Sequence, residues 1–217
     1  MWCIPKITDE FIKRMEDVLT LYQKEYDEKE PVLCFDEKSK QLIADTRRLK
    51  KTKEGKVRRR DYEYKRNGVQ NIFVTTEPKG GHREITVTKR RTKPDFAKEI
   101  RRIIDVPRYR NAIKIHIVLD NLNTHFEKSF YETFSQIEAE KLLKRIKFHY
   151  TPKHASWLNM AEIEINVLSK QCLNQHIDTL KKMQVKTISW TKHRNKMNIG
   201  INWHFTRKKA KVKFKIT

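Results

Sequence analysis

The sequence is poor in the residues that mark several classes of protein. It has only three cysteines, Cys3, Cys34 and Cys172, which are widely spaced and form no CxxC or Cys/His metal pattern. This argues against a structural zinc module and favours a reducing intracellular compartment. Glycine and proline are scarce as well, with five and six residues, and the chain contains no internal repeat or low-complexity segment.

Long hydrophobic runs are also missing. No stretch approaches the ~18 consecutive apolar residues of a membrane-spanning helix. The N-terminus lacks the charged, apolar and small-residue pattern of a secretory signal. We therefore expect a cytoplasmic chain without a membrane partner.

Negative charge is in short supply: 27 acidic residues face 49 Lys and Arg, which gives a net charge of +22. Such an excess repels itself in a compact chain, and a bound polyanion relieves the repulsion. Eleven basic residues against three acidic ones lie in 47–66, and twelve basic residues with no acidic one lie in 181–217. We therefore expect a nucleic-acid partner. The candidate contacts are Arg47, Arg48, Lys50, Lys51, Arg58, Arg59, Arg60, Lys208 and Lys209.

The length of 217 residues suits one large domain with appendages. We expect a helical lead-in over 1–30, a central domain over 31–180 and a basic C-terminal tail over 181–217. Periodicity predicts helices over 7–22, from Pro94 onwards, over 127–145 and over 159–173, and strands over 32–36, 84–89, 113–120 and 146–150. Asn67-Gly68 predicts a hairpin turn between 62–64 and 72–74. The order predicts an α/β fold with a mixed sheet flanked by helices.

Three acidic residues lie at positions where a carboxylate could bind a metal ion or take part in catalysis. Asp36 ends the apolar run 32–35, Asp120 ends the run 115–119, and Glu162 lies near the start of a predicted helix. Carboxylates at strand ends lie at the edge of a sheet, where a ligand can reach them. Mg²⁺ prefers such oxygen ligands, and two metal ions can promote attack on a phosphodiester. The alternative is that both aspartates only start turns or cap helices.

The third carboxylate is not decided by the pattern. Glu162 and Glu164 are two positions apart on the predicted helix, so their directions differ by about 200° and both cannot point into one site. Both flank the apolar stripe of that helix, so periodicity leaves the choice open. His125 is similarly ambiguous, because it either orients a phosphate or carboxylate or is a structural histidine.

Four motifs resemble a known family. They are Val-Leu-Cys-Phe-Asp-Glu-Lys-Ser at 32–39, Asp-Tyr-Glu-Tyr-Lys-Arg-Asn-Gly at 61–68, Val-Leu-Asp-Asn-Leu-Asn-Thr-His at 118–125 and the segment 149–164 that includes Trp-Leu-Asn-Met-Ala-Glu. Together they resemble the DDE endonuclease domain of bacterial insertion-sequence transposases, in the branch related to the mariner superfamily. The resemblance extends from about residue 1 to Thr206.

The resemblance implies a ribonuclease-H-like fold over 31–180. It also implies Mg²⁺-dependent cleavage of DNA at transposon ends and strand transfer into target DNA, with Mn²⁺ able to substitute. By motif, the catalytic and metal-binding residues are Asp36, Asp120 and Glu162, because Leu-Asn-x-x-Glu matches Leu158, Asn159 and Glu162. The implied partners are transposon ends and target DNA, with self-association on DNA, in the nucleoid.

Two departures from the family leave alternatives open. Full-length members of the family have a helix-turn-helix region before this domain, whereas this sequence begins almost directly with the domain. We therefore expect end recognition to come from a separate helix-turn-helix region or reading frame. The segment after Thr206 is also more basic than the family pattern. The alternative functions are another ribonuclease-H-like nuclease and an inactive DNA-binding remnant of a transposase.

Overall fold

The computed structural model describes residues 7–47, 54–55 and 62–216. Its centre is a five-stranded sheet in the order β3-β2-β1-β4-β5. The strands are β1 (Val32–Asp45), β2 (Tyr64–Glu77), β3 (His82–Thr88), β4 (Ile115–Leu119) and β5 (Ile146–Tyr150). β2 runs antiparallel to β1 and β3, while β4 runs parallel to β1 and β5. The predicted mixed sheet is therefore confirmed.

Helices cover both faces of this sheet. They are α1 (Asp9–Gln23), α2 (Lys93–Asp105), α3 (Lys128–Tyr131), α4 (Gln136–Lys144), α5 (Ala161–Gln171), α6 (Leu180–Lys196) and α7 (Arg207–Phe214). Local sequence sets several helix starts: the Thr8 hydroxyl accepts a bond from the N–H of Phe11 at 3.2 Å, which satisfies a free donor of the first turn. The predicted helical stretch 127–145 divides in two, because Ser135 caps a new helix at α4.

Strand alternation sorts the core into two layers. Leu33 and Phe35 of β1 pack with Ile117 and Leu119 of β4 against α2, α3 and α4. Cys34, between them, packs on the opposite face, where α1 and the start of α5 lie. Farther along the sheet, β2 packs on that same face against α5 and α6.

The predicted hairpin turn at Asn67-Gly68 is wrong. Both residues lie inside β2, which continues without interruption and pairs with β1. The β1–β2 register shifts between Gln41 and Ile43, opposite this dipeptide, so it forms a β-bulge. Gly68 has φ of +87°, a conformation that a bulge needs as much as a hairpin turn does. The dipeptide therefore adopts the positive φ that we expected, but in a β-bulge and not in the predicted hairpin turn.

Most of the segment predicted as a basic tail is helical. α6 buries Met183 and Thr187 against the sheet, and α7 packs on α1 through the buried Ala210. The charged residues of both helices are largely exposed. Within the described part of the chain, no helix combines the length and hydrophobicity needed to cross a bilayer.

Candidate active site

Two neighbouring strands bring the first two predicted acids level with each other. β1 and β4 pair in parallel with Cys34 opposite Val118, and the same offset places Asp36 level with Asp120, just past the end of that ladder. Asp120 directly follows β4, but Asp36 lies inside β1, which continues to Asp45 in pairing with β2, so the prediction of a strand limited to 32–36 is wrong. Asp36 follows Phe35, which is fully buried, and its Oδ1 accepts the N–H of Glu37 at 2.7 Å.

The third acid lies in the first turn of α5, and its charge acts on Asp36. Glu162 is half-buried there, and its N–H donates to the carbonyl of Asn159 at 3.1 Å. Glu164 faces elsewhere: its side chain has no exposed surface and pairs with the guanidinium Nε of Arg83 at 2.9 Å and of Arg194 at 3.2 Å. The helix thus turns one glutamate towards the aspartates and the other into a buried ion pair.

The charges of the other two acids act on Asp36. Burial raises the pKa of Asp36 to about 7, and the negative charges of Asp120 and Glu162 add to the rise, against the lowering effect of the Glu37 N–H bond. A carboxylate placed in this way is costly to ionise without a cation nearby. The site therefore has an excess of negative charge that a bound cation would neutralise.

His125 joins Asp120 to a fourth acid. The ring is fully buried between Phe35 and Phe96, with Nδ1 at 2.7 Å from Oδ1 of Asp120 and Nε2 at 3.2 Å from Oε1 of Glu37. Burial alone would lower its pKa, but the bonds to the two carboxylates raise the pKa of His125 to about 9. At neutral pH the ring is an imidazolium that donates to both carboxylates.

The contact with His125 also acts on Asp120. Burial acts to raise the pKa of Asp120, but the hydrogen bond and charge of His125 hold that pKa below its usual range. Oδ1 accepts a second bond from the N–H of Leu122 at 3.0 Å. Both contacts use Oδ1, so they orient the carboxylate without occupying Oδ2. His125 is therefore a buried histidine with both ring nitrogens paired, and one of its partners is the Asp120 carboxylate.

No ready-made metal cluster is present. Among residues 7–47, 54–55 and 62–216, no three His, Cys, Asp or Glu side chains lie close enough together to hold a metal ion in common. Asp36 and Asp120 lie level on paired strands, and Asp120 is turned towards His125. The donor set is nevertheless all carboxylate oxygen, which is the chemistry that Mg²⁺ and Mn²⁺ prefer.

The structure describes only some of the residues predicted to contact DNA. Arg47 lies just after β1, 3.7 Å from Glu63. Lys208 and Lys209 are exposed on α7. The others lie outside the described residues: Arg48, Lys50, Lys51, Arg58, Arg59 and Arg60.

The sequence pattern assigns no role to two residues of the site. Glu37 contacts His125 from 88 positions away in sequence. Asn159 stands out in the sequence only as part of a motif, and its buried side chain contacts Phe35 within β1. Strand alternation places Glu37 on the face opposite Asp36. No local signal in the sequence reveals either long-range partner.

Comparison with known proteins agrees with this geometry. The DDE superfamily endonuclease family matches residues 31–184, which is most of the chain. No curated protein matches the chain significantly. Three crystal structures of Mos1 share its fold: the Mos1 mariner paired end complex with Mn (12% identity, TM-score 0.57, 91% of this chain), the Mos1 paired-end complex with left transposon end (12%, 0.55, 92%) and the Mos1 strand transfer complex (12%, 0.57, 88%).

The chain spans 57–61% of the length of those three Mos1 chains. The likeness to them establishes a ribonuclease-H-like fold, with a mixed five-stranded sheet flanked by helices. The family match covers every strand of the sheet, the whole of α5 and all three predicted acids. This chain therefore belongs to the DDE superfamily endonuclease family.

Proposed function

We propose that the chain is the catalytic domain of a transposase that cleaves DNA strands at transposon ends and transfers them into target DNA. The observation that carries the proposal is that Asp36 and Asp120 lie level on paired parallel strands and that the charges of Asp120 and Glu162 act on Asp36. These are the residues to which the family motif assigns the chemistry. The net charge of +22 supplies the attraction that a polyanionic substrate needs.

Asp36, Asp120 and Glu162 would hold the divalent metal ions, with Mg²⁺ as the expected ion and Mn²⁺ as a substitute. Bound Mg²⁺ would supply Lewis-acid activation of the attacking oxygen and neutralise charge on the leaving oxygen. The solved Mos1 complexes include one with Mn and one with Mg. The raised pKa of Asp36 fits this assignment, because a bound cation would stabilise the ionised form that burial disfavours.

The protein's own groups would orient these carboxylates. His125 holds one oxygen of Asp120, and Glu37 holds the other ring nitrogen of His125. Arg91, 3.4 Å from Glu37, extends this chain of contacts to the surface. The two fixed nitrogens of the ring keep the Asp120 carboxylate from rotating freely, which reduces the reorganisation needed when substrate binds.

The partners follow from this chemistry. The proposed substrates are transposon ends and target DNA, and the Mos1 paired-end complexes suggest self-association on DNA. A separate helix-turn-helix region or frame would recognise the ends. Action on chromosomal DNA would place the chain on the nucleoid in the cytoplasm. The basic residues 47–60, Lys208 and Lys209 would contact phosphates rather than bases, because Lys and Arg in such runs contribute charge without a fixed pairing geometry.

A joining assay tests the proposal. The chain is incubated with Mg²⁺, a supercoiled plasmid and a labelled duplex that ends in a free 3′ hydroxyl, with and without EDTA. Label covalently joined to the plasmid only in Mg²⁺ would support a transposase. Nicked plasmid without joined label would favour the alternative of another ribonuclease-H-like nuclease. DNA binding without nicking, in Mg²⁺ or Mn²⁺ and on proper ends with the recognition region supplied, would favour an inactive remnant.

A further inference from the structure

The side chain of Asn159 makes two hydrogen bonds that link separate parts of the site. Its Nδ2 donates to the carbonyl of Phe35 at 2.8 Å, and its Oδ1 accepts the N–H of Ala161 at 3.1 Å. The side chain is buried, with 1% exposure. Both amide atoms therefore have partners in a place that water does not reach.

The two partners immediately precede two of the three acids. Phe35 is followed by Asp36 at the end of the shared ladder, and Ala161 is followed by Glu162 in the first turn of α5. The β1–β4 ladder ends at the pair Cys34–Val118, one residue before Phe35. The Asn159 amide thus binds β1 just past the point where β4 stops pairing with it, while β2 stays paired with the other side of β1. One planar group fixes the backbone next to both carboxylates.

We propose that Asn159 is a positioning residue that sets the separation of Asp36 and Glu162 for metal binding. The inference rests on the proposed function, because it gives that separation its purpose. The amide is rigid and short, so its two bonds fix the Phe35 carbonyl relative to the start of α5. Without the amide, the positions of the two carboxylates are no longer fixed relative to each other, although β1 and α5 persist.

Other contacts hold the segment in place and separate positioning from general packing. The hydroxyl of Tyr22 donates to the carbonyl of Leu158 at 2.8 Å, and Leu158 itself is fully buried. These contacts tie the residue before Asn159 to α1 and the core. Removal of the Asn159 amide is therefore expected to loosen the carboxylate spacing locally rather than release the whole of α5.

Asn71 offers a matched control in the same sheet. It is buried, its Nδ2 donates to the carbonyl of Lys89 at 3.2 Å, and its Oδ1 accepts the hydroxyl of Ser39 at 2.9 Å. Like Asn159 it donates to a backbone carbonyl and accepts one hydrogen bond, but neither of its partners stands next to an acid of the site in the chain. Loss of its amide should affect stability without affecting the spacing of the carboxylates.

The test compares Asn159→Ala, Asn159→Ser and Asn71→Ala with the wild-type chain. Mn²⁺ binding to the DNA-free protein is followed by electron paramagnetic resonance, and the Mg²⁺ concentration for half-maximal plasmid nicking is measured separately. Both Asn159 variants should weaken Mn²⁺ binding and raise the Mg²⁺ midpoint by about tenfold or more, as loss of an outer contact to metal ligands commonly does. Excess Mg²⁺ should restore much of the nicking rate. Asn71→Ala should stay within about twofold of wild type in both measurements, even if its melting temperature falls as much as those of the Asn159 variants.

The outcomes separate this inference from the proposed function. Asn159 variants that bind Mn²⁺ as tightly as wild type would overturn the positioning role, while an active wild type would leave the proposed function intact. A wild-type chain that neither binds Mn²⁺ nor nicks DNA would overturn both. If Asn159→Ala does not fold, Asn159→Ser decides, because its hydroxyl can still accept the Ala161 N–H while it cannot reach Phe35.

Discussion

Glu162 and Glu164 lie in the same turn of α5 but have opposite surroundings. Glu162 is half-buried and its charge acts on Asp36, whereas Glu164 is fully buried between Arg83 and Arg194. Helical geometry makes the two side chains diverge, and it excludes a shared role. The sequence pattern alone left the choice open, because Arg83 is 81 positions away and gives no local sign of the pairing.

Glu164→Gln should destabilise the fold far more than Glu162→Gln. The substitution leaves Arg83, whose side chain has no exposed surface, without its charge partner. Breaking a buried pair in this way costs about 3–5 kcal/mol of unfolding free energy. Urea denaturation of both variants measures the difference. Equal stabilities would show that the Arg83–Glu164 pair does not hold α5 to β3.

Asp36→Asn should stabilise the metal-free protein in a pH-dependent way. The folded pKa of about 7 lies above the unfolded value of roughly 3.9, so the protonated form contributes stability below pH 4 that is lost as pH rises through 7. Asparagine cannot ionise and avoids that loss. The variant should gain on the order of 1–3 kcal/mol over wild type at pH 8, after allowance for solvent screening, and much less at pH 4.

Melting temperatures from pH 4 to pH 8, with EDTA present, test this prediction. Glu140→Gln, on the exposed side of α4, serves as the control for loss of one carboxylate. A gain for Asp36→Asn that is the same at every pH would contradict the account of a buried, cation-deficient carboxylate. Bound Mg²⁺ should reduce or reverse the gain, because only the ionised aspartate is a good ligand.

At the scale of elements, periodicity predicts more than turn chemistry does. The apolar stripe of α1 and the strands β3, β4 and β5 follow from local pattern, and the structure has them within a few residues of the expected limits, whereas β1 extends nine residues beyond its predicted end at Asp36. The bulge at Gly68 could not be told from a hairpin turn, because both use the same positive φ. Whether a strand turns back or continues depends on its neighbour, here β1, and not on the dipeptide.

The helix α6 illustrates a second limit of local pattern. Its composition is basic and its apolar residues form no clear stripe, so the sequence predicts a basic C-terminal tail. In the structure it packs along β3 and contributes Arg194 to the pair with Glu164. The boundary drawn at residue 180 stays a prediction, and substitutions in α6 are a more direct test of its role than a truncation.

Met183→Ala should destabilise the protein, while Val185→Ala on the same helix should not. Met183 is fully buried against the sheet, and a Met-to-Ala change in a core costs about 2–5 kcal/mol. Val185 is 59% exposed, so its loss should stay within about 0.5 kcal/mol. Chemical denaturation provides the comparison. Similar small effects for both would mean that α6 is a detachable appendage, as the sequence first suggested.

At the scale of the whole molecule, charge is the dominant property. Exposed basic residues lie on both faces of the sheet, with Lys208 and Lys209 on α7 on one face and Lys141 and Lys144 on α4 on the other. Composition alone predicts the class of partner, since a polyanion relieves the repulsion. It does not predict which face the partner meets, because that depends on how the helices are arranged.

DNA affinity should fall steeply with salt, and α7 should account for part of the slope. Each neutralised phosphate contributes roughly 0.9 to the slope of log K against log salt. Replacing the exposed Lys208 and Lys209 with alanine should reduce the slope by up to about 1.8. The same change at Lys141 and Lys144, exposed on α4, is the control. Identical slopes for both pairs would place the DNA elsewhere.

The central claim is that Asp36, Asp120 and Glu162 act together in metal-dependent cleavage of DNA. Its most direct measurement is the rate of plasmid nicking in Mg²⁺ for wild type, Asp36→Asn, Asp120→Asn, Glu162→Gln and Glu164→Gln, at a temperature where all five are folded and bind DNA.

Each triad substitution should lower the rate by about a hundredfold or more, because removal of one carboxylate disables a site whose members act as a unit. Glu164→Gln should nick at a rate near that of wild type, and EDTA should stop every variant that nicks. A wild-type rate in any one of the three triad variants, or loss of nicking in folded Glu164→Gln with activity retained in Glu162→Gln, would contradict the assignment.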